Sequence, residues 1–398
     1  MTELTPALKA LLDDPGEVQD PVAVLHWGKS GSYLLCSLLD GHAQTLQNPF
    51  EAMFSYHYRE GLLFTARANG RVCAEEVLPW AEANYDAIAG IREPALEART
   101  AFLGFLRQIL SRRPNGMGRA DLIKAVHVAY AAARGHPLTT TRPVLVWNLH
   151  LVQSAELLLS LYPAMRFVTT VRFPEKALDS ELFTFCFQQQ NFAAAEIVRR
   201  NLASIFERDT PLTADHVAVR FEDMHCEPEA TTRALAAWIG IDWAPSMLIS
   251  SIDGEAYYFS QQYVHTGRND DPRGLTGFSP ERARDRSFSI LSLADRLVLR
   301  LALRRLYVGW GYGSEAPAWP ATLQACILGA MAWLPMRPQR AMFSRDWAAA
   351  GSLQALLGVS RYYLAEIVPT ARLLGRKSRS QAPLLPILTP GNRGVRTG

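Results

Sequence analysis

Lys29 sits in the run Gly28-Lys29-Ser30-Gly31-Ser32, and those residue types in consecutive positions suit one task, holding an anion. Backbone N–H groups turn inward in such a loop, a following helix adds partial positive charge at its start, and the lysine brings a full charge where a phosphate would sit. Arg172 and Ser180 repeat the theme eight residues apart. A guanidinium offers a bidentate charged contact and a hydroxyl a directional one, so the two can converge on one phosphate. His150 closes an apolar run, a position that suits either proton transfer at a ligand or a satisfied, buried strand-end histidine.

Such groups need rigid elements behind them. Val22–Trp27 reads as a short apolar strand, and a helix opens near Ser32 with Leu34, Leu35, Leu38 and Leu39 at helical spacing. Val144–Trp147 reads as a strand running into Asn148-Leu149-His150, and Ser154–Tyr162 as a short helix stopped by Pro163. Arg166–Val171 is the next strand; it delivers Arg172, and Pro174 opens the helix that carries Ser180. The run Lys176–Arg208 is helical in pattern and His216–Phe221 is a further strand. Strand and helix in alternation predict an α/β fold with a central parallel sheet of four to five strands flanked by helices. Crevices in such sheets open at the carboxyl ends of the strands, where Lys29, His150 and Arg172 all fall.

Gly28-Lys29-Ser30 satisfies the second half of the Walker A pattern, but its leading glycine would have to stand at Ala23, inside the strand. The later strand ends in Arg172, which repels a metal ion and attracts a phosphate, so a metal-free phosphate site is expected. At this point the chain resembles sulfotransferases that use 3′-phosphoadenosine 5′-phosphosulfate. That family has a Lys-Ser-Gly-Thr-Thr type loop for the 5′-phosphosulfate, matched here by Lys29, Ser30, Gly31, Ser32 and Tyr33. The continuation LLCSLLDGH is similar to the bacterial and Golgi-type members. Gly28 replaces a common proline and Tyr33 a second small hydroxyl residue.

The resemblance implies further roles. Arg172 and Ser180 match the arginine and serine used for the donor's 3′-phosphate, and Asn148-Leu149-His150-Leu151 resembles the motif whose histidine takes the acceptor's proton. Glu51 lies about where Golgi-type relatives carry a catalytic glutamate, so the base is either His150 or Glu51. Arg273-Gly274 loosely matches a basic element that closes over the donor. Arg220-Phe221-Glu222-Asp223-Met224 resembles an R-Y-E-D-L scaffold segment, and Gly309-Trp310-Gly311-Tyr312 the end of the family's final helix.

The composition is that of a globular chain: 398 residues, 48% hydrophobic and 20% charged. A net charge of only +3 gives no reason to expect a nucleic-acid partner. Five scattered cysteines without C-x-x-C spacing fit neither a disulfide framework nor a zinc site, and imply a reducing, cytoplasmic setting. No secretory signal is visible at the start. The domains expected are a lead-in over 1–20, a sulfotransferase-like domain over 21–312 and a helical extension with a basic, flexible tail over 313–398. The charge-free run Ala316–Met336 is interrupted by prolines and falls short of a membrane span. Beyond it the extension either packs on the domain or rests against an anionic membrane surface.

The function expected is sulfuryl transfer from 3′-phosphoadenosine 5′-phosphosulfate to a hydroxyl or amine of an unidentified small-molecule, glycan or lipid-linked acceptor, with no metal. A metal-dependent kinase using ATP and a non-catalytic donor-binding relative at a membrane or partner surface are the rivals.

Overall fold

The computed structural model describes residues 3–26, 28–47, 70–89, 96–149, 152–188, 194–207, 209–252, 254–256, 278–313, 319–340, 357–358, 360–361 and 363–389. The chain opens on helix α1 (Pro6–Asp13), whose start is capped by the Thr5 hydroxyl accepting from Leu8 N–H at 3.2 Å. Strand β1 (Gln19–His26) follows, then helix α2 (Ser32–Ser37) and strand β2 (Thr45–Gln47). The leucine-rich helix is shorter than its periodicity predicts. Ser37 Oγ donates back to Leu34 O at 2.7 Å and Leu38 N–H is shared between Leu34 O and Leu35 O, which winds down the last turn.

Helices α3 (Leu96–Ser111) and α4 (Arg119–Ala133) precede strand β3 (Val144–Leu149). Helix α5 (Val152–Leu161) leads to strand β4 (Arg166–Val171), and α6 (Pro174–Leu182) and α7 (Ala194–Glu207) to strand β5 (His216–Arg220). The run Lys176–Arg208 is helical at its described residues, as its pattern predicts, and within it α6 passes into a π-helical turn at Phe183–Gln188 ahead of α7. In this turn the Phe185 ring lies 5.1 Å from Lys29 Nζ and 5.9 Å from the Arg200 guanidinium.

The five strands form one parallel sheet in the order β2-β3-β1-β4-β5. β1 is central because it is apolar on both faces. Val22 and Val24 pack with α2 on one side, and Ala23 and Leu25 pack with α1, α3 and α4 on the other. Its register pairs Leu25 with Leu149 and with Thr169, so the loop after β1 leaves the sheet between the ends of β3 and β4. That is the switch point of the topology, where the connections diverge and a crevice opens.

Beyond β5 come helices α8 (Phe221–Cys226), α9 (Pro228–Ile239) and α10 (Leu293–Ala302), the last with the capping box that Ser292 and Asp295 predict. Helices α11 (Ala321–Met331) and α12 (Val368–Ser378) pack with α6, α7 and α10 around Trp310 and Tyr307. The chain then runs beside β5: Ala218 N–H donates to Pro386 O at 2.9 Å and Leu388 N–H to Ala218 O at 2.8 Å. The sheet's exposed edge is thereby covered, and the buried Asp209 carboxylate is paired with Lys377 of α12. None of the five cysteines forms a disulfide.

Candidate functional site

The turn after β1 owes its shape to two left-handed residues, Lys29 at φ 58° and Gly31 at φ 98°. Gly31 accepts that geometry freely; Lys29 does so at a cost of about 1–2 kcal/mol, which marks it as held there by its surroundings. Glycine is also required sterically at 31, since a Cβ would come within 2.7 Å of the Phe221 ring. At Gly28 a Cβ would run into the Glu181 carboxylate, which explains why the family's proline has no room in this chain. Gly31→Ala is therefore expected to lower stability by about 2–4 kcal/mol, strain and overlap combined, read as a fall in the urea midpoint at unchanged slope.

Ser30 is buried and its hydroxyl donates to Thr170 Oγ1 at 2.9 Å, because Thr170 in turn donates to Leu25 O. The loop is thus pinned to β4. Ser32 and Tyr33 open α2. Across the switch point Arg172 Nη1 donates to Lys29 O at 3.1 Å, with the guanidinium 4.3 Å from the centre of the Phe221 ring. Arg172 is 7% exposed. Burial brings its proton affinity down to about 10, opposed by the Glu222 carboxylate, so it stays cationic at neutral pH. Glu222, half-buried, accepts Phe173 N–H and Tyr312 O–H, both at 3.0 Å. The Arg-Phe-Glu-Asp segment and the Gly-Tyr ending of the domain thus steady the turn that delivers Arg172.

Lys29, Gly31, Arg172 and Ser180 line a single cavity of about 230 Å³ with Lys176, Phe183, Phe221, His225, Ser250, Arg282, Asp285 and Ser289 in its wall. Two acids stand among these groups, and both are occupied with building the wall. Asp179, beside Ser180, accepts the N–H groups of Ser289, Ile290 and Leu291 at 3.0, 2.9 and 2.9 Å. Asp285 accepts from Lys176 Nζ at 2.8 Å, and this pairing with its bonds to Ser287 holds its carboxyl well below the usual carboxylate range. Together they strap residues 285–291 over the α6 end of the cavity. What remains facing inward is a cationic recess, able to take a multiply charged anion.

His225 is one of the groups in this wall that the sequence did not reveal. Its Nδ1 accepts Ser279 N–H at 2.9 Å, which places the proton of the neutral ring on Nε2, and its ring meets Phe221 edge-on at 4.2 Å. The spacing Phe221 to His225 was the available signal, because residues four apart share a helix face. Of the other residues the sequence singled out, His150, Glu51 and Arg273 lie outside the described residues.

Burial holds His225 at about 4, with the Arg282 and Arg172 charges adding to the effect; burial also holds His127 at about 4 and His216 at about 3. All three values lie below the ordinary 6.5, so between pH 6.5 and 4 the unfolded chain binds protons that the folded chain refuses. Stability is expected to fall with falling pH in that window, each histidine adding up to about 1.4 kcal/mol per pH unit. Urea midpoints measured from pH 7 to 5 check this, and a flat profile would contradict the buried, neutral placement of these rings.

A family model described as Sulfotransferase family matches residues 21–245. Among solved structures, the sulfotransferase domain from the Synechococcus PCC 7002 olefin synthase is 17% identical over 69% of this chain and 90% of that one, with a TM-score of 0.40. The sulfotransferase domain from the curacin biosynthetic pathway is 14% identical over 58% and 77%, at a TM-score of 0.35. Sulfotransferase STF9 from Mycobacterium avium is 13% identical over 61% and 70%, at 0.26. No curated protein matches the chain.

Proposed function

Because the chain belongs to the sulfotransferase family, we propose that it transfers a sulfuryl group from 3′-phosphoadenosine 5′-phosphosulfate to a hydroxyl or amine of an acceptor. The observation that carries this reading is the meeting of Lys29, Gly31, Arg172 and Ser180 in one cavity, from two segments far apart in sequence and one on each side of the switch point. The cavity suits the donor: it has cationic walls, a left-handed turn at Lys29 and Gly31, and aromatic rings at Phe183 and Phe221.

In this reading the loop Lys29–Tyr33 holds the 5′-phosphosulfate, and Arg172 with Ser180 holds the 3′-phosphate. The acceptor's nucleophilic atom bonds to sulfur as the bond from sulfur to the 5′-phosphate oxygen breaks, and that oxygen keeps the electron pair. Lys29 and the loop N–H groups offset the charge that grows there. His150 or Glu51 takes the acceptor's proton, and Arg273 closes over the donor. The enzyme works without a metal in a reducing compartment, the cytoplasm, a setting that five cysteines outside any disulfide support.

The test is turnover in metal-free buffer with a sulfur-labelled donor and separate pools of phenols, alcohols, sugars and amines. Label is expected to appear in at least one pool together with 3′-phosphoadenosine 5′-phosphate. Donor binding without transfer to any pool would favour the non-catalytic reading.

A further inference from the structure

Helix α11 lies in a stretch, Ala316–Met336, that contains no charged residue, yet most of the helix faces water: Leu323 is 45% exposed, and Ala325, Cys326, Gly329 and Ala330 are exposed beside it. A tryptophan stands beyond each end. Trp319 is 37% exposed and Trp333 43%, followed by Leu334 at 61%. Tyr363 O–H donates to Trp333 O at 2.8 Å, which brings the next residue, Leu364 at 67%, to the same place. Arg337, Arg340 and Arg361 are exposed in the same segments. Beneath, Leu334, Met336, Arg340 and Ile367 edge a small recess also lined by Gln339, whose buried Nε2 has no hydrogen-bond partner among the described residues.

Apolar side chains exposed together need a reason, and charge decides what covers them here. Residues 313–398 carry ten Lys and Arg against three Asp and Glu, an excess greater than the +3 of the whole chain. Among the described residues from 319 to 389, Glu366 is the one acid, and it is paired with Arg199 at 2.7 Å. No described helix is long and apolar enough to cross a membrane. We infer that this face docks on an anionic membrane surface, with Trp333, Leu334, Leu364 and the exposed side of α11 in the interfacial layer and the arginines on lipid phosphates. Trp rings favour that layer because one edge is apolar and the N–H stays wet. A second copy of the chain is disfavoured as the occupant, since it would bring another excess of positive charge to the same place.

Flotation of the full chain with vesicles tests this independently of the donor chemistry. Vesicles of phosphatidylcholine with about one-third phosphatidylglycerol should carry the protein upward, and pure phosphatidylcholine should carry at least tenfold less. Trp333→Asp with Leu334→Asp should cut binding at least tenfold, and Arg337→Ser with Arg340→Ser should remove the preference for anionic lipid. Circular dichroism and affinity for 3′-phosphoadenosine 5′-phosphate should stay unchanged in both. Failure of the full chain to float with either vesicle, undiminished flotation of the aspartate variant, or a dimer in light scattering that this variant dissolves, would overturn the inference.

Discussion

Replacing Lys29 by glycine is expected to remove sulfuryl transfer while leaving the fold about as stable as before. Position 29 is left-handed at φ 58°, a conformation that costs a lysine about 1–2 kcal/mol and glycine almost nothing. Against that relief stand the greater freedom of glycine in the unfolded chain and the lost contact of the ammonium with Phe185, together about 1–2 kcal/mol. The two sides nearly cancel, so the melting temperature should shift by a few degrees at most. Turnover should not be spared. A cation aimed at charge that grows on a leaving oxygen is worth about 3–4 kcal/mol, hence a fall of roughly 100- to 1,000-fold in kcat. Thermal melts and initial rates on one preparation check both halves. A residue retained for stability would give the opposite pattern, a weaker fold and an intact rate.

Arg172→Ala is expected to weaken the donor more than any other substitution in the cavity. The guanidinium is buried, and in place it both donates to Lys29 O and stacks on Phe221. Truncating one partner of a buried charged contact costs about 2–5 kcal/mol, a rise in donor Kd of about 30- to several-thousand-fold. Arg172→Lys keeps the charge but not the planar fork, so it cannot serve Lys29 O and a phosphate together and should recover only part of the loss. Donor titration of wild type, alanine and lysine variants orders the three. Equal affinity in all of them would remove Arg172 from the donor site.

How much of this was legible in the sequence can be argued from single residues. β1 and the turn at Lys29 were readable because the signal is local: an apolar strand, a glycine pair around a lysine, and leucines at helical spacing. Arg172 was readable because it ends the short apolar run Phe167–Val171 with Pro174 beyond it. The groups that hold Arg172 were harder to see in their working role. Phe221, Glu222 and Tyr312 reach it from 49 to 140 positions away, and a contact across that separation leaves no periodicity. Asp179 looks in sequence like a solvated helix carboxylate, and its three bonds to the 289–291 backbone exist only once α6 and that segment have packed. The π-helical turn within the Lys176–Arg208 run was hidden for a related reason. Nothing in the residue types of Phe183–Gln188 distinguishes a π turn from an α turn, and the contacts of Phe185 with Lys29 and Arg200 exist only once the chain has packed. Gly28 was visible as a departure from the family loop, but its cause, the Glu181 carboxylate, comes from α6.

The measurement that bears most directly on the central claim is calorimetric binding of 3′-phosphoadenosine 5′-phosphate to the full chain in metal-free buffer, set beside AMP and beside ATP with magnesium. A cavity that holds one phosphate at Lys29 and a second at Arg172 and Ser180 should bind the bisphosphate at least 100-fold more tightly than AMP, with no need for the metal. Equal affinity for the bisphosphate and AMP, or a clear preference for ATP with magnesium, would contradict the donor assignment and return the Lys29 loop to a kinase.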